Sequence, residues 1–400
     1  MDIEAAVFTA EQPLSIETVT LDDELMPDEI LVRTVATGLC HSDLHIIDGH
    51  LAVGRGPLVL GHEGAGVVER VGGGVTGLAP GDRVVACLSV FCGRCNQCLA
   101  GHPNLCTDSP ANRGPGTRPR HRIGNRAART MAGIGAFAEA MILHQNAVVK
   151  VADDLDLGVA CLVGCGVLTG VGAVLRTARV RAGQSVAVFG CGGVGQAIIQ
   201  AAALTGADPI IAVDRIPAKL EQARRAGATD LVAASSITSS SITSSSTTSS
   251  STTSLPAATS LRAVGGDGAG GDDVAAGVRA VTGGRGVDHA LEAVGDVELV
   301  RQACQSLAVR GTCTIVGVPP DGTVWQIPAD ALRPECRVQT SRMGSNRFRF
   351  DIPRYLDLHT RGLLRLDELV GGTIPLSDLP AAVEDMRVGR GARTVVGFGA

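Results

Sequence analysis

Four cysteines fall within fifteen residues, as Cys92-Gly-Arg-Cys95-Asn-Gln-Cys98 and then Cys106, and this C-x2-C-x2-C-x7-C spacing constrains the chain more than any other feature. Thiolates so close together can surround one tetrahedral zinc ion, at Zn–S distances of about 2.3 Å. A shell closed by Cys92, Cys95, Cys98 and Cys106 leaves no position for a substrate, so its predicted role is structural: it pins a loop with almost no apolar anchor. The opening Met1-Asp2-Ile3-Glu4 places acids where an export signal needs basic residues and an apolar run, so the expected compartment is the cytoplasm. In that reducing compartment the twelve cysteines of the chain are metal ligands, catalytic thiols or buried apolar residues rather than disulfide partners.

A chain of 400 residues suits two or three folding units, and with 45% hydrophobic but only 2% aromatic residues it packs its core with aliphatics. To about residue 150 the pattern is short β-like runs punctuated by glycine, such as Glu29-Ile-Leu-Val-Arg-Thr-Val and Gly81-Asp-Arg-Val-Val-Ala. From about residue 167 strands and helices alternate. Ser185-Val-Ala-Val-Phe-Gly, Pro209-Ile-Ile-Ala-Val-Asp, Asp230-Leu-Val, Val287-Asp-His-Ala-Leu-Glu, Gly311-Thr-Cys-Thr-Ile-Val-Gly-Val and Arg337-Val-Gln-Thr supply six strands, which fits a doubly wound parallel sheet. The Ser/Thr tract 235–254, with the glycine-rich stretch to Gly271, cannot bury enough apolar area to offset its ordering entropy. It is expected to be a surface loop between the third and fourth strands, or a modified or partner-binding tail.

Two uncharged stretches, Leu157 to Leu175 and Ala182 to Ala207, are long enough to span a bilayer. The first is dense in glycine and the second breaks into strand, glycine turn and helix, so both read as buried α/β core and no membrane is expected. The net charge is −5 and the only lysines are Lys150 and Lys219, which leaves no basic field for phosphates. Nucleic acid is therefore not an expected partner, and a zinc-ribbon module that reads nucleic acid or protein would leave most of the chain unexplained.

A dispersed set adds to the cysteine array: Cys40-His41-Ser42-Asp43-Leu44-His45, Gly61-His62-Glu63 and, far downstream, Gly164-Cys165-Gly166. Two thiolates and an imidazole match the ligand set of a catalytic zinc with a vacant fourth position. Next, Gly190-Cys-Gly192-Gly193-Val194-Gly195 follows a predicted strand and opens a predicted helix. Its glycines allow a tight turn and a close approach to a pyrophosphate, whose charge meets the free N–H groups of the helix start. Asp214 ends the next strand nineteen residues beyond Gly195, where a carboxylate can bind ribose hydroxyls and disfavour a 2′-phosphate, so NAD is the expected cofactor. Arg215 beside it keeps a phosphate-accepting alternative open.

In this order the three signals resemble the zinc-dependent medium-chain alcohol dehydrogenases, with Gly61-His62-Glu63-Gly64-Ala65-Gly66 looking like the family's zinc signature. The resemblance implies a GroES-like β-rich catalytic domain, residues 1–166 and 343–400, with the structural zinc lobe at 92–106. The Rossmann NAD-binding domain at 167–342 would be a doubly wound six-stranded parallel sheet carrying the insertion at about 235–271. It implies two zincs per chain, one on Cys40, His62 and Cys165 and one on Cys92, Cys95, Cys98 and Cys106. By the same resemblance, zinc would polarise the bound alcohol, Ser42 would take its proton, and His45 would pass that proton to solvent through the cofactor ribose. Asp43 and Glu63 resemble groups that orient the ligands. His41 and Arg393 resemble pyrophosphate contacts, Lys219 a contact near the adenosine ribose, and Thr169, Val194, Val316 and Val318 the wall behind the nicotinamide.

The implied reaction is reversible hydride transfer between a primary alcohol and NAD, in a homodimer or homotetramer. Leu88, Met131 and Ala132 fall where the substrate wall is expected, and Leu88 stands where related enzymes often carry an aromatic residue, so the expected substrates are medium-chain or aryl alcohols. Two other readings stay open: a thiol-adduct formaldehyde dehydrogenase, in which His41 and the arginines of the 107–135 stretch would form a cationic site for the anionic carrier, and a zinc-free quinone reductase on the same fold.

Overall fold

The computed structural model describes residues 1–111, 119–234, 273–390 and 393–399, so the predicted loop at 235–271 lies outside the described residues. Its six-stranded sheet runs in the order Asp230–Ala233, Ile210–Asp214, Val186–Phe189, Val287–Glu292, Leu307–Ile315, Arg337–Thr340, with every adjacent pair parallel. These are the six strands expected from sequence. Val186–Phe189 is buried along its whole length because both faces are covered, which is why it reads as an unbroken apolar run. The helices Gly193–Thr205 and Pro217–Ala226 contribute to one core, while Val274–Val281 and Val297–Gln305 pack into another. Strand order reverses between Val186–Phe189 and its neighbour Val287–Glu292, and the carboxyl ends of such a pair open a crevice where ligands bind.

The rest is β-rich. A closed barrel of five strands, Asp2–Thr9, Gln12–Leu21, His121–Ile123, Arg126–Thr130 and Leu58–Val59, accompanies a seven-stranded sheet centred on Glu63–Val71 and Glu29–Gly38. The C-terminal strand Arg393–Gly397 joins that sheet antiparallel to Glu29–Gly38, with Val395 opposite Gly38. This late return carries Arg393 to the same end of the sheet as Cys40.

Between the two sheets, Leu157–Gly164 and Gly166–Ala178 form helical segments bent by 55° at Cys165. Gly166–Gly172 is buried at every position, as expected for a core helix. No single helix among the described residues is long and apolar enough to cross a membrane.

Candidate active site

Cys40 caps the short helix His41–Ile47, and the third helical residue, Asp43, folds back so that its Oδ2 accepts the Cys40 N–H at 3.1 Å. The other carboxylate oxygen accepts the Gly61 N–H at 3.1 Å and lies 3.5 Å from Nδ1 of His62. One buried carboxylate thus braces the backbone on both sides of the site and orients the imidazole. His62 precedes and Glu63 begins the strand Glu63–Val71, while Cys165 sits at the bend between the two helical segments.

These elements bring one donor atom each from Cys40, His62, Glu63 and Cys165 within 4.8 Å of one another, all buried. With Nδ1 of His62 facing Asp43, its Nε2 has no hydrogen-bond partner, nor does Oε2 of Glu63. Buried polar atoms left without partners are costly, and two thiols, an imidazole and a carboxylate converging in this way fit a zinc ion. The thiols report the same crowding. The hydrogen bond between the two sulfurs pulls the Cys40 thiol well below the ordinary range and, with burial, pushes the Cys165 thiol well above it. Glu63 comes closer than a purely orienting group: its Oε1 also pairs with the Arg393 guanidinium and accepts the Gly166 N–H at 3.2 Å. Burial, opposed by Arg393, raises its carboxyl to about 7.

Above this set opens a cavity of about 860 Å³ that runs from the metal-ligand residues to the end of the parallel sheet. Of the residues predicted from sequence, Cys40, His41, Ser42, His45, Cys165, Thr169, Gly190, Gly192, Gly193, Val194, Asp214, Lys219, Val316, Val318 and Arg393 all line it. His62, Glu63 and Gly195 are not on its wall. Each glycine of the loop has its own reason. Gly190 has φ +91°, a Cβ on Gly195 would stand 1.9 Å from the Gly190 carbonyl oxygen, and a Cβ on Gly192 would meet nothing within 4 Å. Gly195 therefore lets the helix pack onto the strand, whereas Gly192 leaves room for a ligand. Asp214 accepts the Cys191 N–H at 2.7 Å and the Ile216 N–H at 2.9 Å, which fixes its carboxylate at the rim of the cavity.

Some residues escaped the sequence reading. Gln196, buried behind the loop, donates to the carbonyls of Cys191 at 2.9 Å and Lys219 at 3.1 Å, tying the glycine loop to the next helix. Met343 and Val294 line the cavity, and nothing in their apolar type marks them in sequence. Leu88 lines it as expected, but Met131 does not: pairing of Arg126–Thr130 with Leu58–Val59 turns Met131 into a core with Leu39, Leu60 and Phe137. Ala132 likewise lies off the cavity wall, in a turn with φ 53°.

The second cluster is built differently. The sulfurs of Cys92, Cys95, Cys98 and Cys106 also lie within 4.8 Å of one another, but all four residues are only half-buried. Backbone N–H groups of Cys95, Arg94 and Cys92 point at the sulfurs of Cys92 and Cys106 over 3.3 to 3.4 Å, an arrangement that favours thiolates. Leu99, on the lobe's short α-helix Asn96–Leu99, is 73% exposed, so the lobe has little apolar core of its own.

Comparison with known proteins agrees with this architecture. Residues 26–153 match the alcohol dehydrogenase GroES-like domain and residues 267–360 the zinc-binding dehydrogenase family. The NDMA-dependent alcohol dehydrogenase of Amycolatopsis methanolica is 36% identical over 400 residues, covering 98% of this chain and 97% of that protein. The S-(hydroxymethyl)glutathione dehydrogenase of Haemophilus influenzae is 33% identical, covering 98% of this chain and 96% of that one. Among solved structures, benzyl alcohol dehydrogenase from Acinetobacter calcoaceticus superimposes with a TM-score of 0.83 at 29% identity, and all of both chains is covered. The chain belongs to the zinc-dependent medium-chain alcohol dehydrogenase family, with its GroES-like and Rossmann-type folds, and is an oxidoreductase.

Proposed function

We propose that this protein is a zinc- and NAD-dependent alcohol dehydrogenase that oxidises primary medium-chain or aryl alcohols to aldehydes, reversibly, as a homodimer or homotetramer. The observation that carries the reading is the placement of Cys40 and Cys165 on the wall of the same cavity as Gly192 and Asp214, with His62 and Glu63 directly behind. Cys40, His62 and Cys165 would hold the catalytic zinc, and Cys92, Cys95, Cys98 and Cys106 the structural one. When bound, zinc supplies the electrophile that acidifies the alcohol hydroxyl and NAD accepts the hydride.

The chain's own residues do the rest. Ser42, whose Oγ lies 3.9 Å from the Cys40 sulfur, is placed to take the hydroxyl proton, and His45 to accept it in turn. Burial, with His50 adding to it, lowers the His45 pKa, so the imidazole is a base at neutral pH and releases a proton readily. Asp43 holds the ligands in position, and Arg393 stands over Glu63 with its guanidinium at the cavity wall. Asp214 favours NAD by offering a carboxylate to the ribose hydroxyls. Leu88 in place of an aromatic ring leaves a wider apolar wall, and added apolar contact contributes about 25 cal/mol per Å² buried.

For the thiol-adduct reading, His41 lines the cavity but none of the four described arginines of the 107–135 stretch, Arg120, Arg122, Arg126 and Arg129, does. Arg120 pairs with buried Glu29, Arg129 donates to the carbonyls of Val53 and Arg55, and neither lines the cavity. A zinc-free reductase would not need Cys40, His62 and Cys165 converged. The deciding experiment measures zinc per chain together with NAD reduction on benzyl alcohol and hexanol. Two zincs and turnover are expected; one zinc and no turnover would overturn the reading.

A further inference from the structure

Resting on the dehydrogenase reading, we propose that His50 is the outermost group of the proton path: it takes the alcohol's proton from His45 and delivers it to solvent. The helix His41–Ile47 sets His41 and His45 on one face with ring centroids 6.5 Å apart, and both line the cavity. The turn that ends the helix folds the chain back, with the His50 N–H donating to the His45 carbonyl at 2.8 Å. That places the His50 ring 5.6 Å from the His45 ring, centroid to centroid, at 77°. At this spacing a small ring rotation or one bridging water connects the nitrogens.

The burial gradient runs the right way. His45 is half-buried and its Nδ1 has no hydrogen-bond partner, while His50 is exposed and absent from the cavity wall. The exit is also held in place across the molecule. The Asp321 N–H donates to the His50 carbonyl at 3.0 Å, and its carboxylate accepts the Ala52 N–H at 2.9 Å. The groups facing His45 are Cys40, His41, Asp48 and His50, and Asp48 is itself neutralised by Arg387, which also pairs with Glu384.

Per turnover, the O–H bond of the alcohol breaks and its proton moves through Ser42 to His45. The hydride leaves carbon for NAD. His45 then loses its proton to His50, and His50 to water, so one proton is released for each NAD reduced.

The test uses the full chain, zinc-loaded, oxidising benzyl alcohol with NAD across pH, as wild type and as His50→Gln. The expected result is a kcat about tenfold lower near neutrality, with zinc content and alcohol KM unchanged. Added HEPES, a tertiary-amine buffer that does not compete for zinc, is expected to restore that rate in a concentration-dependent way. Asp321→Ala, which leaves the imidazole but frees its turn, should lose part of the rate and regain it with the same base. An unchanged kcat and pH profile in His50→Gln, or a loss that the added base does not repair, overturns the relay while leaving the dehydrogenase reading intact. A wild-type protein without alcohol-dependent NAD reduction overturns both.

Discussion

Two clusters in this protein each offer four donor atoms to a metal, yet they differ in donor chemistry and in surroundings. The lobe set, Cys92, Cys95, Cys98 and Cys106, comes from one short, half-buried segment and closes on itself. The cavity set, Cys40, His62, Glu63 and Cys165, is gathered from three separate parts of the chain and is buried. A local, all-thiol shell can substitute for the hydrophobic core that the lobe lacks, whereas a dispersed, mixed shell depends on a core already being there to align it. The first can stabilise structure without touching substrate; the second sits under an open cavity.

The sharpest way to break this contrast is Cys165→Ser. We expect loss of one zinc and a fall in alcohol turnover of at least about a thousandfold, or ~4 kcal/mol of transition-state stabilisation, with circular dichroism unchanged. Zinc analysis and NAD reduction on the same sample decide it; retained turnover would leave the cavity set without a catalytic metal. Cys98→Ser should also remove one zinc, but its main effect should appear in denaturant unfolding, as a loss of about 2–4 kcal/mol with the alcohol KM little changed. A variant of Cys98 that stays stable yet loses activity would make the lobe part of the site after all.

Two carboxylates refine the difference further. Asp43 is buried and bonded to the backbones of Cys40 and Gly61, so Asp43→Asn should weaken zinc retention at the cavity site by about 10- to 100-fold, measured by competition with a chelator. Asp108 sits beside the lobe in an exposed ion pair with Arg94 at 2.9 Å, and Asp108→Asn should leave zinc retention there unchanged. Equal effects from both substitutions would show that burial is not what separates the sites.

The glycine loop was legible before the fold because its residue types and its place between strand and helix both point one way. Gly190, Gly192 and Gly195 each meet a distinct demand of the backbone, and Asp214 ends the next strand at the rim where its spacing put it. The substrate wall was harder to read. Leu88 faces the cavity but Met131 does not, because barrel pairing rather than proximity in sequence turns Met131 inward. Gln196 gave no signal at all, since a buried amide that ties two loops together looks like any polar helix residue until its partners are in place.

By itself, then, the sequence determined the six parallel strands, the cysteine lobe, the glycine turn and the candidate ligands, because each depends on local spacing or on residue chemistry few other structures require. Tertiary structure alone decided that Glu63 converges with Cys40, His62 and Cys165, and that Arg393 returns on the last strand to pair with it. It also decided that His50 folds back beside His45 at the seam fastened by Asp321. Those placements come from packing, which brings residues together across as many as 330 positions of chain, as for Glu63 and Arg393, and no local spacing encodes a contact of that range.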